Sequence, residues 1–437
     1  MKWTVLSDNR TTDSRLETEH GLSLLLETEK HRILLDTGAS DVFIRNAERM
    51  GIDLSTVDFV FISHGHSDHA GGLRYFLNLN DKAKIIVSSH AVNGKFYSKR
   101  TYLHSITAQW PEDVKERLIL VDDSCRIAED LYVIAHISQT HPMPKGNQHL
   151  FVQNKDGGYV LDDFRHELAL YTDGFLFTGC AHSGLENILA ACPYPVKTVV
   201  GGFHLLDGYE SEKKLIDLAN RLKARYPETR FYTSHCTGDS VFEVMQKEIG
   251  DQIQSFKCGN RKGGIFLLRL RSDAVIAFKE EMQEAFQHGF EAYNKEDGEE
   301  SNQWQVLPDR DFYQSLEAEG AEAYEAINAD GQRVGGAIIT TNGTFGELAF
   351  LYVKVGAQSK GIGQAIWREI ESLHPEVMVW ETCTPYFDRR NIHFYINRCG
   401  FHAVEFFNEH HPDPNMPDQF DQEDGLFKFE KRMLSIT

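Results

Sequence analysis

The chain has 437 residues, 25% of them charged, and a formal net charge of −20. That length exceeds what one hydrophobic core usually organises, so two domains are expected, and with no long unbroken apolar run no membrane-spanning helix is predicted. The charge is uneven: residues 1–272 carry 32 Lys and Arg against 35 Asp and Glu, whereas residues 273–437 carry 13 against 30. So acidic a second half excludes a nucleic-acid backbone as an expected partner, and small molecules are the expected substrates. Seven scattered cysteines without a CxxC pair, and a start lacking a signal-peptide core, fit reduced thiols in a cytoplasm. Nothing in the composition sets an oligomeric state.

In chain order, short strands are expected at Trp3–Leu6, Leu22–Leu26 and Arg32–Leu35, the last running into Asp36-Thr37-Gly38. A helix over Asp41–Met50 precedes an apolar strand, Val57–Ile62, and then comes the densest cluster of chemistry in the chain. His64, His66, Asp68 and His69 fall within six positions, ahead of Gly71 and Gly72. In an extended chain residues two apart project to one side, so His64 and His66 can bind one cation together. Asp68 and His69 follow where the glycines break the strand and can face a second cation. Such donors suit zinc, with iron or manganese as alternatives. Further strands are expected at Ile85–Val87, Leu118–Val121, Leu131–Ile137, Leu168–Tyr171, Phe175–Thr178, Thr198–Val200 and Arg230–Tyr232, with helices at Leu185–Ala191 and Glu212–Arg225. Three more clusters each follow a strand: Gly179-Cys180-Ala181-His182, Gly201-Gly202-Phe203-His204 and Ser234-His235-Cys236-Thr237. His182 and His235 are candidate ligands, while His204 could equally hold substrate or a metal-bound water. Strands alternating with single helices suggest two sheets sandwiched between helices.

The His64-Gly-His66-Ser-Asp68-His69 stretch resembles the signature of the metallo-β-lactamase superfamily. Glu19-His20-Gly21, Asp36-Thr37-Gly38, Cys180-Ala181-His182, Gly202-Phe203-His204 and His235-Cys236-Thr237 follow in an order similar to its dihydropterinyl-methyl-ribofuranosylaminobenzene 5′-phosphate synthase-like branch. The resemblance covers nearly all of residues 1–268. It implies an αββα sandwich with a two-metal site at the shared edge of the sheets, and a metal-bound hydroxide attacking a phosphoester, carboxylic ester or lactam-type bond. Asp68 or His204 could then pass the proton on, and Asp36 would orient a ligand imidazole. The chain also departs from the pattern. It lacks the Gly-His-Thr motif of many members, and after Thr178-Gly179 it has Cys180 where they place a bridging Asp. Asp162, Asp163 and His166 lie near where the missing motif should fall. The bridging ligand and the third ligand of the first ion therefore stay open between these residues, Cys180 and His182, with His182 favoured.

The run Gly263–Leu270 is expected to close the first domain, and residues 272–437 to form the second. Phe278, Met282, Phe286, Phe290 and Tyr293 recur at helical spacing, and the acidic stretch 295–301 reads as a solvated loop. Strands are expected at Ala323–Ile327, Val334–Thr340, Glu347–Val355 and Val377–Glu381. Next comes Gln358-Ser-Lys360-Gly361-Ile-Gly363 at the start of a helix running to Leu373, where exposed amides can cradle a pyrophosphate. With Asn391, Tyr395 and Gly400-Phe401 further on, the second half resembles the GCN5-related N-acetyltransferase (GNAT) family over residues 273–435. That implies an α+β domain binding acetyl-CoA through Val353, Val355, Gln358, Lys360, Gly361, Gly363 and Asn391. Tyr395 would protonate the departing thiolate and Glu347 would relay a proton from the amine, with Glu381 as the other available base. An acidic surface would suit a cationic amine acceptor. The expected whole is a metal-dependent hydrolase fused to an acetyltransferase. Two alternatives stay open: the acetyltransferase as the main activity, or the second half as a non-catalytic acetyl-CoA-binding module.

Overall fold

The computed structural model describes residues 1–11, 13–297, 307–328, 331–358, 361–386, 388–412 and 425–433. The chain divides into two compact units, Met1–Lys262 and Gly263–Thr437. The expected boundary after residue 271 therefore moves toward the N-terminus. Gly263 and Gly264 both adopt positive φ, and the strand Phe266–Arg269 leaves that turn to pair antiparallel with Ala321–Ile327. Its apolar side chains serve the second core, which a local pattern of hydrophobic residues does not reveal.

The first unit is the αββα sandwich. One seven-stranded sheet runs Arg261–Lys262, Lys2–Ser7, Ser23–Glu27, Arg32–Leu35, Phe59–Phe61, Lys84–Val87, Leu118–Leu120. The other runs Ile253–Ser255, Arg230–Thr233, Thr198–Val200, Phe175–Phe177, Ala169–Thr172, Tyr132–Ile134, Cys125–Arg126. Alternation of side chains assigns the layers. Leu24, Leu26, Ile33, Leu35 and Phe61 meet Leu170, Phe175, Phe177 and Val200 in a fully buried core between the sheets. Their neighbours face outward: Leu25 and Leu34 pack with Phe43 and Ala47 of the helix Val42–Arg49. On the opposite side Leu176 and Val199 pack under helices Leu185–Ala191, Glu212–Arg225 and Asp239–Ile249.

The strands that matter for chemistry are parallel. Arg32–Leu35 pairs in register with Phe59–Phe61, and Phe175–Phe177 with Thr198–Val200 and then Arg230–Thr233. Their carboxyl ends therefore emerge along one edge of each sheet, the usual location of sites in such folds. A third sheet, of strands Tyr159–Leu161, Leu150–Gln153, Phe96–Lys99 and Leu103–Ser105, was not expected from the sequence. Its outer strands are exposed throughout, so they lack the buried alternation that betrays a strand.

The second unit is an α+β domain. Its sheet runs Phe266–Arg269, Ala321–Ile327, Arg333–Asn342, Phe345–Val353, Val379–Pro385, Leu426–Arg432, His402–Phe407. Phe278 and Met282 of the helix Val275–Asp297, with Phe312 of Asp309–Leu316, cover one face. Ile366, Trp367 and Ile370 of Ile362–Leu373, with Tyr395 and Cys399, cover the other. Residues 295–297, expected in a loop, continue the first helix, and 298–301 lie outside the described residues. Every contact between neighbouring strands is antiparallel except Phe345–Val353 with Val379–Pro385.

One buried polar network belongs to this core. Glu322 receives Arg269 at 2.6 Å and His374 at 3.3 Å, and the Tyr324 hydroxyl donates to it. Burial alone would push the Glu322 carboxyl up, but His374, Tyr324 and Arg269 hold it down to about 2. Burial likewise opposes charge on His374, yet Glu322 and Glu376 raise its imidazole above the ordinary 6.5. A raised histidine contributes stability that is complete below pH 6.5 and is lost as pH climbs through its folded value. A depressed carboxylate contributes above its ordinary 4.5 and is lost as pH falls toward 2. The second unit is thus expected to be most stable between about pH 4.5 and 6.5 as far as this pair decides it. Its melting temperature should decline above that window, and His374→Gln should flatten the decline. An unchanged pH profile in the variant would contradict the assignment.

Candidate functional site

The expected ligands of the first unit converge at the carboxyl edges of its two large sheets. The strand ahead of the main motif stops at Phe61, earlier than expected. His64 and His66 thus sit in the loop that follows, His66 in an isolated bridge to Thr107, and Asp68 and His69 lie in the short helix Ser67–Ala70. Gly72 lets this turn close, because a Cβ there would stand 2.0 Å from the Thr37 carbonyl oxygen.

His64, His66 and His182 form one buried group whose donor atoms lie within 4.8 Å of one another. All three Nε2 atoms are buried without a hydrogen-bond partner. Tautomers explain which nitrogen is bare. The Ser63 hydroxyl donates to Asp36 Oδ2 at 2.7 Å, so it accepts from His64 Nδ1 at 2.8 Å and leaves Nε2 with a lone pair. Asn147 donates to the His182 carbonyl at 2.8 Å, and its Oδ1 lies 3.1 Å from His182 Nδ1, fixing that ring in the same way. Burial is the main reason that all three imidazoles are pushed well down, His66 to about 3, and neighbouring histidines add to it. Neutral imidazoles with an aimed lone pair are what a metal ion requires. The donor set fits a zinc-like cation.

A second group adjoins the first. His69 Nε2 is 3.0 Å from His235 Nε2, and Asp68 Oδ2 lies 3.7 and 3.5 Å from those two nitrogens. Burial opposes charge on Asp68, but His69 and His235 more than offset it and hold the carboxyl well below its ordinary value. His69 Nδ1 is anchored by Asp36 Oδ2 at 2.6 Å, and the same carboxylate accepts the Ser63 amide at 2.7 Å. Asp36 thus holds His69 directly and His64 through Ser63. The Cys180 sulfur lies 3.1 Å from His69 Nε2 and belongs to candidate donor groups with His64 and His69, and with His235 and Cys236. His204 carries two bare ring nitrogens, 4.2 Å ring to ring from His182. It lines a cavity of about 310 Å³ together with His66, Asp68, Cys180 and His182.

His166 and Asp162 stand outside both groups. His166 Nδ1 accepts from the Gly65 amide at 3.0 Å and its Nε2 faces Asp162 Oδ2 at 3.1 Å, so neither nitrogen has a spare lone pair. Asp163 is turned to Arg165 at the surface. His182, and not His166, stands with His64 and His66 in the first group.

Four residues at this edge, Asp36, Ala181, His204 and His235, take left-handed backbone without being glycine, with φ of 48–55°. Each such residue costs about 1–3 kcal/mol and persists only where surroundings enforce it. Glu167 supplies part of that enforcement, accepting the His182 and Ser183 amides at 2.6 and 2.7 Å. Asp8 does the same for the His235 amide at 3.0 Å. Sequence reasoning gave none of these supports a role. Ser63 and Asp8 adjoin recognisable motifs, but Asn147 and Glu167 sit in stretches with no pattern. His20, part of the Glu19-His20-Gly21 stretch, was given no role of its own, although it stacks on His235 at 5.1 Å and approaches Asp68 at 3.4 Å.

In the second unit the parallel pairing of Phe345–Val353 with Val379–Pro385 ends at Glu347 opposite Glu381. The first strand then continues to Val353 against Arg333–Asn342 alone. Beyond Glu347 its other edge parts from Val379–Pro385, and the Thr382 hydroxyl donates to the Leu348 carbonyl at 2.9 Å where they diverge. Gly361, at φ 76°, opens the helix Ile362–Leu373. Gln358 donates to the Val353 carbonyl at 3.4 Å, and a Cβ on Gly363 would stand 3.2 Å from the Phe394 ring and 3.4 Å from Val353. Gln358 and Gly363 thus lie beside Val353, Val355 packs against the cluster of Phe278 and Tyr352, and Lys360 lies outside the described residues. The Asn391 amide donates to Asp388 at 2.8 Å in the cap of Arg389–His393. Glu347 is exposed on its strand, while Glu381 is engaged by Lys428 at 2.9 Å. Tyr395 is 7% exposed among Phe401 and Phe429, and burial pushes its phenol up.

Fold and site together define two fused units of enzyme type. The Metallo-beta-lactamase superfamily profile matches residues 17–158, and the Acetyltransferase (GNAT) family profile matches residues 280–401. The chain belongs to the metallo-beta-lactamase superfamily through its first unit and to the GNAT acetyltransferases through its second. The uncharacterized protein YrkN of Bacillus subtilis is 40% identical over 164 residues, which is 37% of this chain and 84% of that protein. The 7,8-dihydropterin-6-methyl-4-(beta-D-ribofuranosyl)-aminobenzene-5'-phosphate synthase of Methanocaldococcus jannaschii is 25% identical over 280 residues, 59% of this chain and 94% of that protein. A solved structure described as Tm1679, a metal-dependent hydrolase of the beta-lactamase superfamily, is 28% identical with a TM-score of 0.52, over 60% of this chain and 98% of that one. Among the described residues no helix is long and apolar enough to cross a membrane.

Proposed function

We propose that the first unit is a metal-dependent hydrolase of ester or phosphoester bonds and the second an acetyl-CoA-dependent N-acetyltransferase. The observation that carries the first reading is the trio of bare, buried Nε2 atoms on His64, His66 and His182, two of them with the opposite nitrogen pinned. An unpartnered buried polar atom costs about 1–3 kcal/mol, so three at one point favour a cation as their partner. His64, His66 and His182 would hold one ion and Asp68, His69 and His235 a second, with Cys180 beside them. Such ions supply Lewis acidity and bring the pKa of a bound water from about 15.7 toward 7. The chain's own residues do the rest. Asp36, Ser63 and Asn147 keep the donor rings oriented, and the Asp68 carboxylate and a His204 ring nitrogen are placed at the cavity to take up and release a proton.

For the second unit the strand edge that parts from Val379–Pro385 beyond Glu347 would take a pantetheine chain, and the helix entry at Gly361 offers amides to a pyrophosphate. Tyr395 is read as the acid and Glu347 as the base. The test of the first reading is the hydrolysis of bis-p-nitrophenyl phosphate with matched metal analysis. Turnover should vanish on chelation and return with zinc, iron or manganese; turnover indifferent to chelation would remove the reading. The second is tested by thiol release from acetyl-CoA with a panel of amines, where binding without release would leave only a cofactor-binding module.

A further inference from the structure

The cleft at the metal-type groups does not end with them. A second cavity, of about 290 Å³, is lined by Arg10, Arg100, Tyr209 and Thr237 and shares His20, Arg100, Leu206 and Cys236 with the first. Of the four shared side chains, Arg100 alone carries a permanent charge. Arg10 is already committed: its guanidinium donates to Ser234 at 2.9 Å and to the Thr237 carbonyl at 3.4 Å, and meets Asp239 at 2.8 Å. Asp207, the carboxylate on this wall, is occupied by the Ser240 hydroxyl and amide at the start of Asp239–Ile249. Arg100 has no ion pair or hydrogen bond among the described residues.

Its side chain is exposed, but the backbone that carries it is fixed. Arg100 begins the turn between Phe96–Lys99 and Leu103–Ser105, where Lys99 pairs with Leu103. The Lys99 carbonyl lies 3.1 Å from His149 Nδ1, and the His149 ring meets Tyr209 edge-on at 5.6 Å across the second cavity's wall. A guanidinium without a counter-ion, held over a cleft by its backbone, presents a planar fork of donors suited to a tetrahedral anion.

We infer that Arg100 recognises a phosphoryl group on the substrate, which lies in the second cavity while the bond to be cut lies at the histidines. This rests on the hydrolase reading for the reaction, although the recognition itself needs no metal. A substrate with a phosphate at one end and a scissile ester at the other would span both cavities.

The experiment is equilibrium binding of phenylphosphonate, whose C–P bond is not a phosphoester, to the full chain, with benzyl alcohol as the neutral control. Wild type should bind the phosphonate, and Arg100→Gln should weaken it about tenfold to a hundredfold, the worth of charge-assisted hydrogen bonds. Arg100→Lys should recover part of the loss by restoring the charge without the fork. The same Arg100 dependence should persist in a His66→Ala background. Equal binding by wild type and Arg100→Gln, or equal binding of phosphonate and alcohol, would overturn the inference. A phosphonate held only when His66 is intact, and indifferent to Arg100, would overturn it too while leaving the hydrolase reading in place. Absence of metal and turnover with Arg100-dependent binding retained would do the reverse.

Discussion

His66→Ala is expected to lower metal-dependent hydrolysis by about a hundredfold to a thousandfold. The estimate follows from the several kcal/mol that a catalytic metal contributes to the transition state, at 1.36 kcal/mol per tenfold in rate. Catalytic zinc sites need three protein donors with an open fourth position, and this variant leaves His64 and His182 alone in the first group. Its metal content should fall in step with its rate. The fold should survive, because in the chelated protein the His66 Nε2 is a buried atom without a partner, so its removal relieves one penalty while opening a small void. The melting temperature of chelated variant and chelated wild type should therefore differ little. Parallel loss of rate and of chelated-state stability would instead mark His66 as a structural residue. Activity close to wild type would remove it from the site.

Asp36→Asn is expected to weaken metal binding by about ten- to a hundredfold, the range for partners that orient metal ligands. Asparagine tolerates the left-handed backbone at this position, φ 54°, so the change isolates the charge and the acceptor. The wild-type carboxylate accepts from the Ser63 amide, the Ser63 hydroxyl and His69 Nδ1 at once. An amide has one oxygen to offer, and its NH₂ would face a donor in place of an acceptor. A buried donor left without a partner costs about 1–3 kcal/mol, so the chelated protein should also melt earlier. Competition with a chromophoric chelator reads the affinity, and calorimetry of the chelated protein reads the stability. A variant with wild-type affinity would show that Asp36 only supports the fold.

Much of this site was legible because its candidate ligands sit where parallel strands end. Once Phe175–Phe177, Thr198–Val200 and Arg230–Thr233 are recognised as parallel strands, the histidines just beyond them meet at one edge, since register aligns their carboxyl ends, whereas those beyond Phe59–Phe61 join them only through the packing of the two sheets. Local spacing could not decide between His166 and His182. Both follow aspartate- or glycine-bearing turns, and the difference lies in long-range partners: Asp162 and Gly65 saturate one ring, whereas Asn147 pins the other and frees its Nε2. The boundary between the units was misplaced for a related reason. Phe266–Arg269 reads as an apolar strand in either unit, and only its pairing with Ala321–Ile327 assigns it. The small sheet that carries Arg100 was invisible because its outer strands bury nothing.

The central proposal is that side chains from two separate loops, His64 and His66 from one and His182 from another, enclose a transition-metal ion. Its most direct test is an anomalous difference map from crystals of the purified protein, collected on both sides of the absorption edge of the metal found by elemental analysis. The predicted result is a peak within coordination distance of Nε2 of His64, His66 and His182, with or without a second beside Asp68, His69 and His235. A map without a peak there, from protein soaked in zinc, iron or manganese, would contradict it.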